Sequence, residues 1–320
     1  MKRIVFSFCL TFTFLSYLQA QFDAQLSQYM FNATGFNPAA VGEAGMMDLT
    51  GQYRLQWAGM PNGGYTFILN INAPLNFAGK QHGVGINFIK DEVGLFINQG
   101  VHLQYAYKFN IGEGKLNLGT QLGFLSIGFR GDSVRIPQTP NGAIYHDPSD
   151  PAIPTTEVQG INLDIGLGAW YTYKKFYAGA SYSHLNQPVI DWTDEHSYKP
   201  ASTFYLTGGY SFTASDPKYV FQPSMFFKTD FTTFKVEVST VMHYDNQYWG
   251  GISYRYGDAF VILAGIEVGN GLSIGYSYDL PASQIISASW GSHEFVLSYE
   301  INVQTGANSR RKKYKNIRIL

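Results

Sequence analysis

The sequence predicts an all-β fold: a transmembrane outer-membrane β-barrel of about 14 antiparallel strands, with short periplasmic turns and longer extracellular loops. Three observations predict it. Apolar and polar residues alternate strictly over segment after segment. The composition is 16% aromatic and 14% charged, with 34 glycines, whereas soluble domains are about 25% charged. Beyond the first 20 residues no run of about 18 apolar residues occurs, so strands rather than helices have to make any membrane crossing.

Residues 1–20, MKRIVFSFCLTFTFLSYLQA, read as a secretory signal peptide. Lys2 and Arg3 form its basic start, Ile4 to Leu18 its apolar run, and cleavage is expected after Ala20. The single cysteine, Cys9, lies inside this segment behind Phe8, without a lipoprotein context, so the mature chain is expected to carry no disulfide and no thiolate. An exported chain without disulfides fits a bacterial envelope. A net charge of −1 argues against nucleic acid as a partner.

The barrel proper is expected over 46–303. In 46–57, MMDLTGQYRLQW, the residues Met47, Leu49, Gly51, Tyr53, Leu55 and Trp57 face one way. Asp48, Thr50, Gln52, Arg54 and Gln56 face the other. That is the period of a strand. The same alternation places strands at 64–74, 82–91, 95–109, 115–129, 160–174, 176–186, 201–213, 218–229, 232–244, 247–256, 259–268, 271–280 and 293–303. The weakest are 82–91 and 218–229, the latter because Pro223 interrupts it. A soluble sandwich also alternates, but here Tyr and Trp gather at strand ends, as in the aromatic girdles of a membrane barrel. A sheet in lipid has to close, because an open edge strands unpaired N–H and C=O groups.

Parity fixes the sides. In an up-and-down barrel alternate connections lie at opposite ends. The long connections 130–159, 187–200 and 281–292 then share one end, and the short turns 110–114, 174–175, 245–246 and 269–270 share the other. Long connections mark the outside, so both termini are expected in the periplasm. Parity also nominates lumen-facing charged or titratable residues: Asp48, Arg54, His102, Lys108, Asp164, Glu237, His243 and Asp279. They mix both signs, and either pair across the lumen or line a water-filled path.

No sequence pattern for a catalytic site appears, and the chain is expected to be no enzyme and to carry no cofactor or metal. Arg130-Gly131-Asp132 is read as a strand end rather than an adhesion tripeptide. The proline-rich loop with His146, Asp147 and Asp150 is read as a stiff exposed loop rather than a cation site, and Asn32-Ala33-Thr34 is a glycosylation sequon without meaning in a periplasm. His102, His184 and His243 are read as members of polar networks. The tail 304–320 is basic through Arg310, Arg311, Lys312 and Lys313. It is either a solvated tail or a periplasmic contact for an acidic partner or anionic lipid.

The segment 21–45 follows neither period but is too apolar to stay unpacked: Leu26, Tyr29, Met30, Phe31 and Phe36 need a surface. Parity puts it at the periplasmic end, against the lumen wall, the rim or a partner. Its core, QLSQYMFNATGFNPAAVG, resembles the opening signature of the PorP/SprF family of Bacteroidota outer-membrane proteins. Gln28, Tyr29, Met30, Phe31, Asn32, Asn37, Pro38 and Ala39 carry the match, with Ser27, Ala40 and Gly42. The strand with Gln52, Tyr53, Arg54, Gln56 and Trp57 is similar to the family's first strand. Thr34-Gly35-Phe36 and Val41 depart from the commoner pattern. The resemblance implies a bacterial outer-membrane location and a non-enzymatic role in type IX secretion. It further implies a receptor or anchor for the C-terminal domain of a secreted surface protein or adhesin, linked to periplasmic secretion and gliding components. The alternative is a porin-like or hydrophobic-solute channel. What 21–45 does inside the barrel discriminates the two.

Overall fold

The computed structural model describes residues 23–135 and 153–302. The segment 1–20 read as a signal peptide, the loop residues His146, Asp147 and Asp150, and the basic tail with Arg310 to Lys313 lie outside the described residues.

Fourteen long strands form the barrel: β1 Met47–Leu55, β2 Tyr65–Phe77, β3 Lys80–Val93, β4 Phe96–Ile111, β5 Gly114–Arg130, β6 Glu157–Tyr173, β7 Phe176–Ser183, β8 Thr203–Tyr210, β9 Tyr219–Thr229, β10 Phe234–Tyr244, β11 Tyr248–Arg255, β12 Ala259–Val268, β13 Leu272–Pro281 and β14 Ser292–Ile301. Each pairs antiparallel with its sequence neighbours. The sheet closes where β1 pairs with β14, from Met47 opposite Ile301 to Leu55 opposite His293. Closure leaves no edge, which lipid requires.

The alternation sorts side chains as the sequence predicts. Leu103, Ile161, Ile252 and Ile262 are each more than 60% exposed and point away from the lumen, toward lipid, while Gln52, Ser298 and Glu294 are buried within. The strand predicted at 82–91 is longer, Lys80–Val93, and pairs along its whole length with β2 and β4. Pro223 is accommodated inside β9. Its partner across β10 is Thr240, but pairing with β8 stops at Ser224 opposite Gly209, so no ladder bond is asked of the missing N–H. Beyond that break the two-residue strand Phe212–Thr213 resumes the pairing with β9.

The described residues of the long connections, 131–135 with 153–156, 184–202 and 282–291, lie at one end. The turns 78–79, 112–113, 174–175, 245–247 and 269–271 lie at the other, with the start of β1 and the end of β14. The connection 184–202 does not simply project outward. Its short hairpin, Ile190–Asp191 with Ser197–Tyr198, turns back into the mouth. There Ile190, Trp192 and Tyr198 pack on Leu125, Ile127 and Phe96 of the inner wall. Arg130 of the tripeptide pairs with Glu92 at 2.8 Å, as a strand-end residue would.

Candidate functional site

The site is the lumen, and the chain's own N-terminal segment occupies it. Three short 3-10 turns, Tyr29–Phe31, Ala33–Gly35 and Pro38–Ala40, compact residues 29–40 into a plug. Asn37 caps the third turn by accepting from the Ala39 N–H at 2.9 Å, and Pro38 takes the first position, where no N–H is needed.

The plug runs the length of the barrel, which corrects the expectation of a segment confined to the periplasmic end. Glu43, just before β1, meets Lys108, Asn117 and Thr172 at the periplasmic end. Asp23 meets His184 and Lys228 at the outer end. The first described residues therefore lie outward, not toward the periplasm as expected for the N-terminus. Parity places only the start of β1; it says nothing about where a chain threading the lumen begins.

Two kinds of wall hold the plug. Toward β6–β14 the plug's aromatic side chains meet an apolar cluster. Tyr29 stacks on Phe226 at 4.8 Å between ring centroids, Phe31 lies tilted against Trp249 at 4.3 Å, and Phe36 lies edge-on to Phe226 at 5.0 Å. Met30 and Ala39 are buried in the same cluster with Trp170, Tyr177, Val241, Val261 and Leu263. Toward β1–β5 the contact is polar. Asn32 donates to Gln52 at 2.7 Å and accepts from Asn70; Gln104 donates to the Thr34 carbonyl at 2.9 Å. Asn37 also reaches the carbonyls of Ala169 and Ala180 at 3.1 and 3.2 Å.

Close backbone approach makes glycine necessary at some inward positions. A Cβ on Gly119 would sit 2.4 Å from the Ala39 nitrogen, and one on Gly168 2.1 Å from Asn37 Oδ1. Gly119→Val is expected to dislodge the Pro38–Ala40 turn and to lower the unfolding temperature of the purified barrel, read by the heat-dependent shift of its electrophoretic mobility. An unchanged transition would contradict this packing.

The eight lumen candidates all face inward, and most are consumed in binding one another or the plug. Asp48 accepts from Thr50 and Ser298 near the periplasmic end. Lys108 donates to the Gly42 carbonyl, and His243 lies 3.8 Å from Glu267. Arg54, Glu237 and Asp279 join a cluster near the outer end that the sequence reading only partly foresaw. Its centre is Ser27 Oγ, which accepts from Arg54 at 2.8 Å and Arg255 at 2.7 Å and donates to Asp279 at 2.7 Å. Arg54 pairs with Asp279 and Glu294, and Arg255 with Asp279 and Glu237. The Glu294 carboxylate accepts from the N–H groups of Ser27 and Gln28 at 2.9 and 2.7 Å. Arg255 and Glu294 are in phase with inward neighbours and could have been added to the candidates. Ser27 carries no sequence signal for this role.

A second anchor fixes the plug's outer end. His184 bridges two carboxylates, Asp23 at 2.9 Å and Asp164 at 2.8 Å, and Asp164 also binds His102 at 2.8 Å. The Tyr205 hydroxyl donates to Asp23, and Lys228 donates to the carbonyls of Asp23 and Ala24. Burial favours the neutral imidazole, but the carboxylates on its two nitrogens outweigh it and push His184 up to about 10. Burial likewise opposes the charged form of Asp23, and His184 with the Tyr205 and Lys228 donors outweighs it, holding Asp23 below the usual carboxylate range. A raised histidine stabilises fully below its free value of 6.5 and loses that contribution as pH climbs toward about 10. The stability difference between the native chain and His184→Gln is therefore expected to be largest below pH 6.5 and to shrink across that window. A difference that grows with pH would contradict the bridged imidazolium.

Above the plug a cavity of about 580 Å³ remains in the outer mouth, lined by Asp23 and Gln25 of the plug and by Trp57, Asp91, Phe96 and Tyr198 of the wall.

These features define a class: an outer-membrane β-barrel filled by its own N-terminal segment. The chain belongs to the PorP/SprF family, whose model, the type IX secretion system membrane protein PorP/SprF, matches residues 18–299. No individually curated protein matches the sequence. Among solved structures, it is similar to the Ralstonia pickettii toluene transporter TbuX (13% identity, 86% of this chain and 93% of that one, TM-score 0.48). It is also similar to the Acinetobacter baumannii outer membrane protein Omp33 (6% identity, 80% and 98%, TM-score 0.46). A Pseudomonas aeruginosa FadL homologue is a third (12% identity, 85% and 92%, TM-score 0.46).

Proposed function

We propose that this chain is a non-conducting anchor of type IX secretion in the outer membrane, a receptor that holds the C-terminal domain of a secreted surface protein or adhesin. The observation that carries the reading is the filled lumen. A porin keeps a water-filled lumen, whereas here a segment bonded to strands all round the wall occupies the path. A barrel closed in this way has its two ends left for recognition. The outer end offers the connections 184–202 and 282–291, the latter with exposed Ile286 and Trp290. The inner end offers the Gly42–Glu43 end of the plug, the short turns and the basic tail to periplasmic secretion and gliding components. Membership of a type IX secretion family supports this assignment.

The test is a mild-detergent pull-down of the tagged protein from native outer membrane, with mass spectrometry of its companions. Co-purification of a large secreted protein through its C-terminal domain, or of type IX components, is expected. A barrel that emerges alone across detergents and after crosslinking would contradict the anchor reading.

A further inference from the structure

We propose that the outer cavity is a binding site for a guanidinium group, held by Asp91 and Asn98 beside an aromatic wall. The inference does not rest on the anchor reading.

Three neighbouring strands build the polar half of the site. Thr66, Asp91 and Asn98 stand opposite one another on β2, β3 and β4. Residues so paired hold their Cβ atoms about 5 Å apart. The Asp91 carboxylate and the Asn98 amide therefore stand side by side, and both line the cavity. Asp91 is 5% exposed, and the Thr66 hydroxyl donates to it at 2.5 Å.

Charge selects a cation. Four carboxylates line the cavity: Asp23, Asp91, Asp258 and Asp279. Asp23 is paired with His184, Asp258 with Lys235 and Arg255, and Asp279 with Arg54 and Arg255. Asp91 makes no ion pair among the described residues. The remaining lining cation, Lys228, donates to the carbonyls of Asp23 and Ala24. A carboxylate taken out of water calls for a cation. Hydrogen bonding agrees. Two buried acceptors of the lining, Asn98 Oδ1 and Gln25 Oε1, receive no hydrogen bond among the described residues, against one such donor, Arg54 Nε.

Shape selects a guanidinium over an ammonium. Phe96, two residues from Asn98 on β4, lines the cavity with Trp57 and Tyr198; the Phe96 and Tyr198 ring centroids are 5.5 Å apart. A planar cation lies on such rings while its fork donates to two adjacent oxygens. A volume of about 580 Å³ holds the group and the chain that carries it. Thr233, Asp258 and Ser283 of the outer connections complete the lining, so the group enters from outside. Its source is either an arginine side chain on a protein segment or a free guanidino compound.

The test titrates the purified full chain in detergent with argininamide and reads the heat of binding. Saturable binding is expected, with lysinamide and the uncharged isostere citrullinamide each weaker by about tenfold or more. Asp91→Asn keeps the side-chain size and an acceptor for Thr66. It is expected to weaken argininamide by about tenfold or more, and Asn98→Ala by less. Asp132→Asn, exposed and outside the cavity, should bind as the native chain does. The heat-dependent mobility shift checks that each variant is folded, and Asn98→Ala carries the test if Asp91→Asn is not. No saturable binding to the native chain would overturn the proposal. So would equal binding of citrullinamide or lysinamide, or folded cavity variants that bind as well as the native chain. The same assay separates the sources. Tighter binding of a blocked Gly-Arg-Gly peptide than of argininamide or agmatine assigns the site to a protein side chain, and the reverse order to a free guanidino compound.

Discussion

Arg255→Met is expected to destabilise the barrel by about 3–5 kcal/mol, the range for removing one partner of a buried ion pair. The guanidinium is 1% exposed and binds Glu237 at 2.7 Å, Asp279 at 2.9 Å and Ser27 Oγ at 2.7 Å. Without it two buried carboxylates face each other with only Arg54 nearby. The loss should exceed anything expected from the packing change, because Met replaces much of the side-chain volume but none of the charge. Arg255→Lys should recover only part, since one ammonium cannot reproduce the fork that reaches two carboxylates and a hydroxyl. Denaturant titration of the refolded barrel reads both variants. A loss below about 1 kcal/mol, the level of exposed pairs, would mean that the cluster is solvated.

Deleting residues 25–42 is expected to have the larger consequence. It removes Tyr29, Phe31 and Phe36 from an aromatic cluster and takes Ser27 from the centre of the charged one. Trp249, Phe226 and Val261 would then line a wet lumen, and Glu294 would lose two backbone donors. Either the barrel fails to refold, or it refolds with a markedly lower unfolding temperature and a steady conductance. A deletion that keeps both the stability and the closed state of the full chain would show that the segment is not the plug.

Much of the fold is legible because lipid leaves a strand few choices. The period of two, the girdle aromatics and the parity of long and short connections each follow from a solvent that is apolar outside and polar at the ends. Strand ends were less legible: β3 extends past its prediction because Gln81 and Lys80 pair with Asn76 and Phe77 at a register set by a tight turn, not by hydrophobicity. The inward faces of Asp48, Arg54, His102, Lys108, Asp164, Glu237, His243 and Asp279 follow from parity alone. Their partners do not, because apart from Thr50 beside Asp48 each sits 18 to 252 residues away in the chain.

The plug's depth was the least legible feature, yet one signal exists. The run AFVILAGI in β12 is apolar on both faces. Phe260 and Ile262 face lipid, while Val261 and Leu263 are buried inward. An apolar inner face suits a lumen packed with protein better than one filled with water. Read together with Trp249 and Val241, it marks the side of the lumen where Tyr29 and Phe31 rest.

The central claim is that this chain closes its own lumen. Its most direct test is the conductance of the intact mature protein in a planar bilayer, measured with no partner present. The expected result is a folded, inserted barrel that passes no steady current at moderate voltage. A steady, ohmic current through the intact chain would contradict the claim and return the protein to the channels.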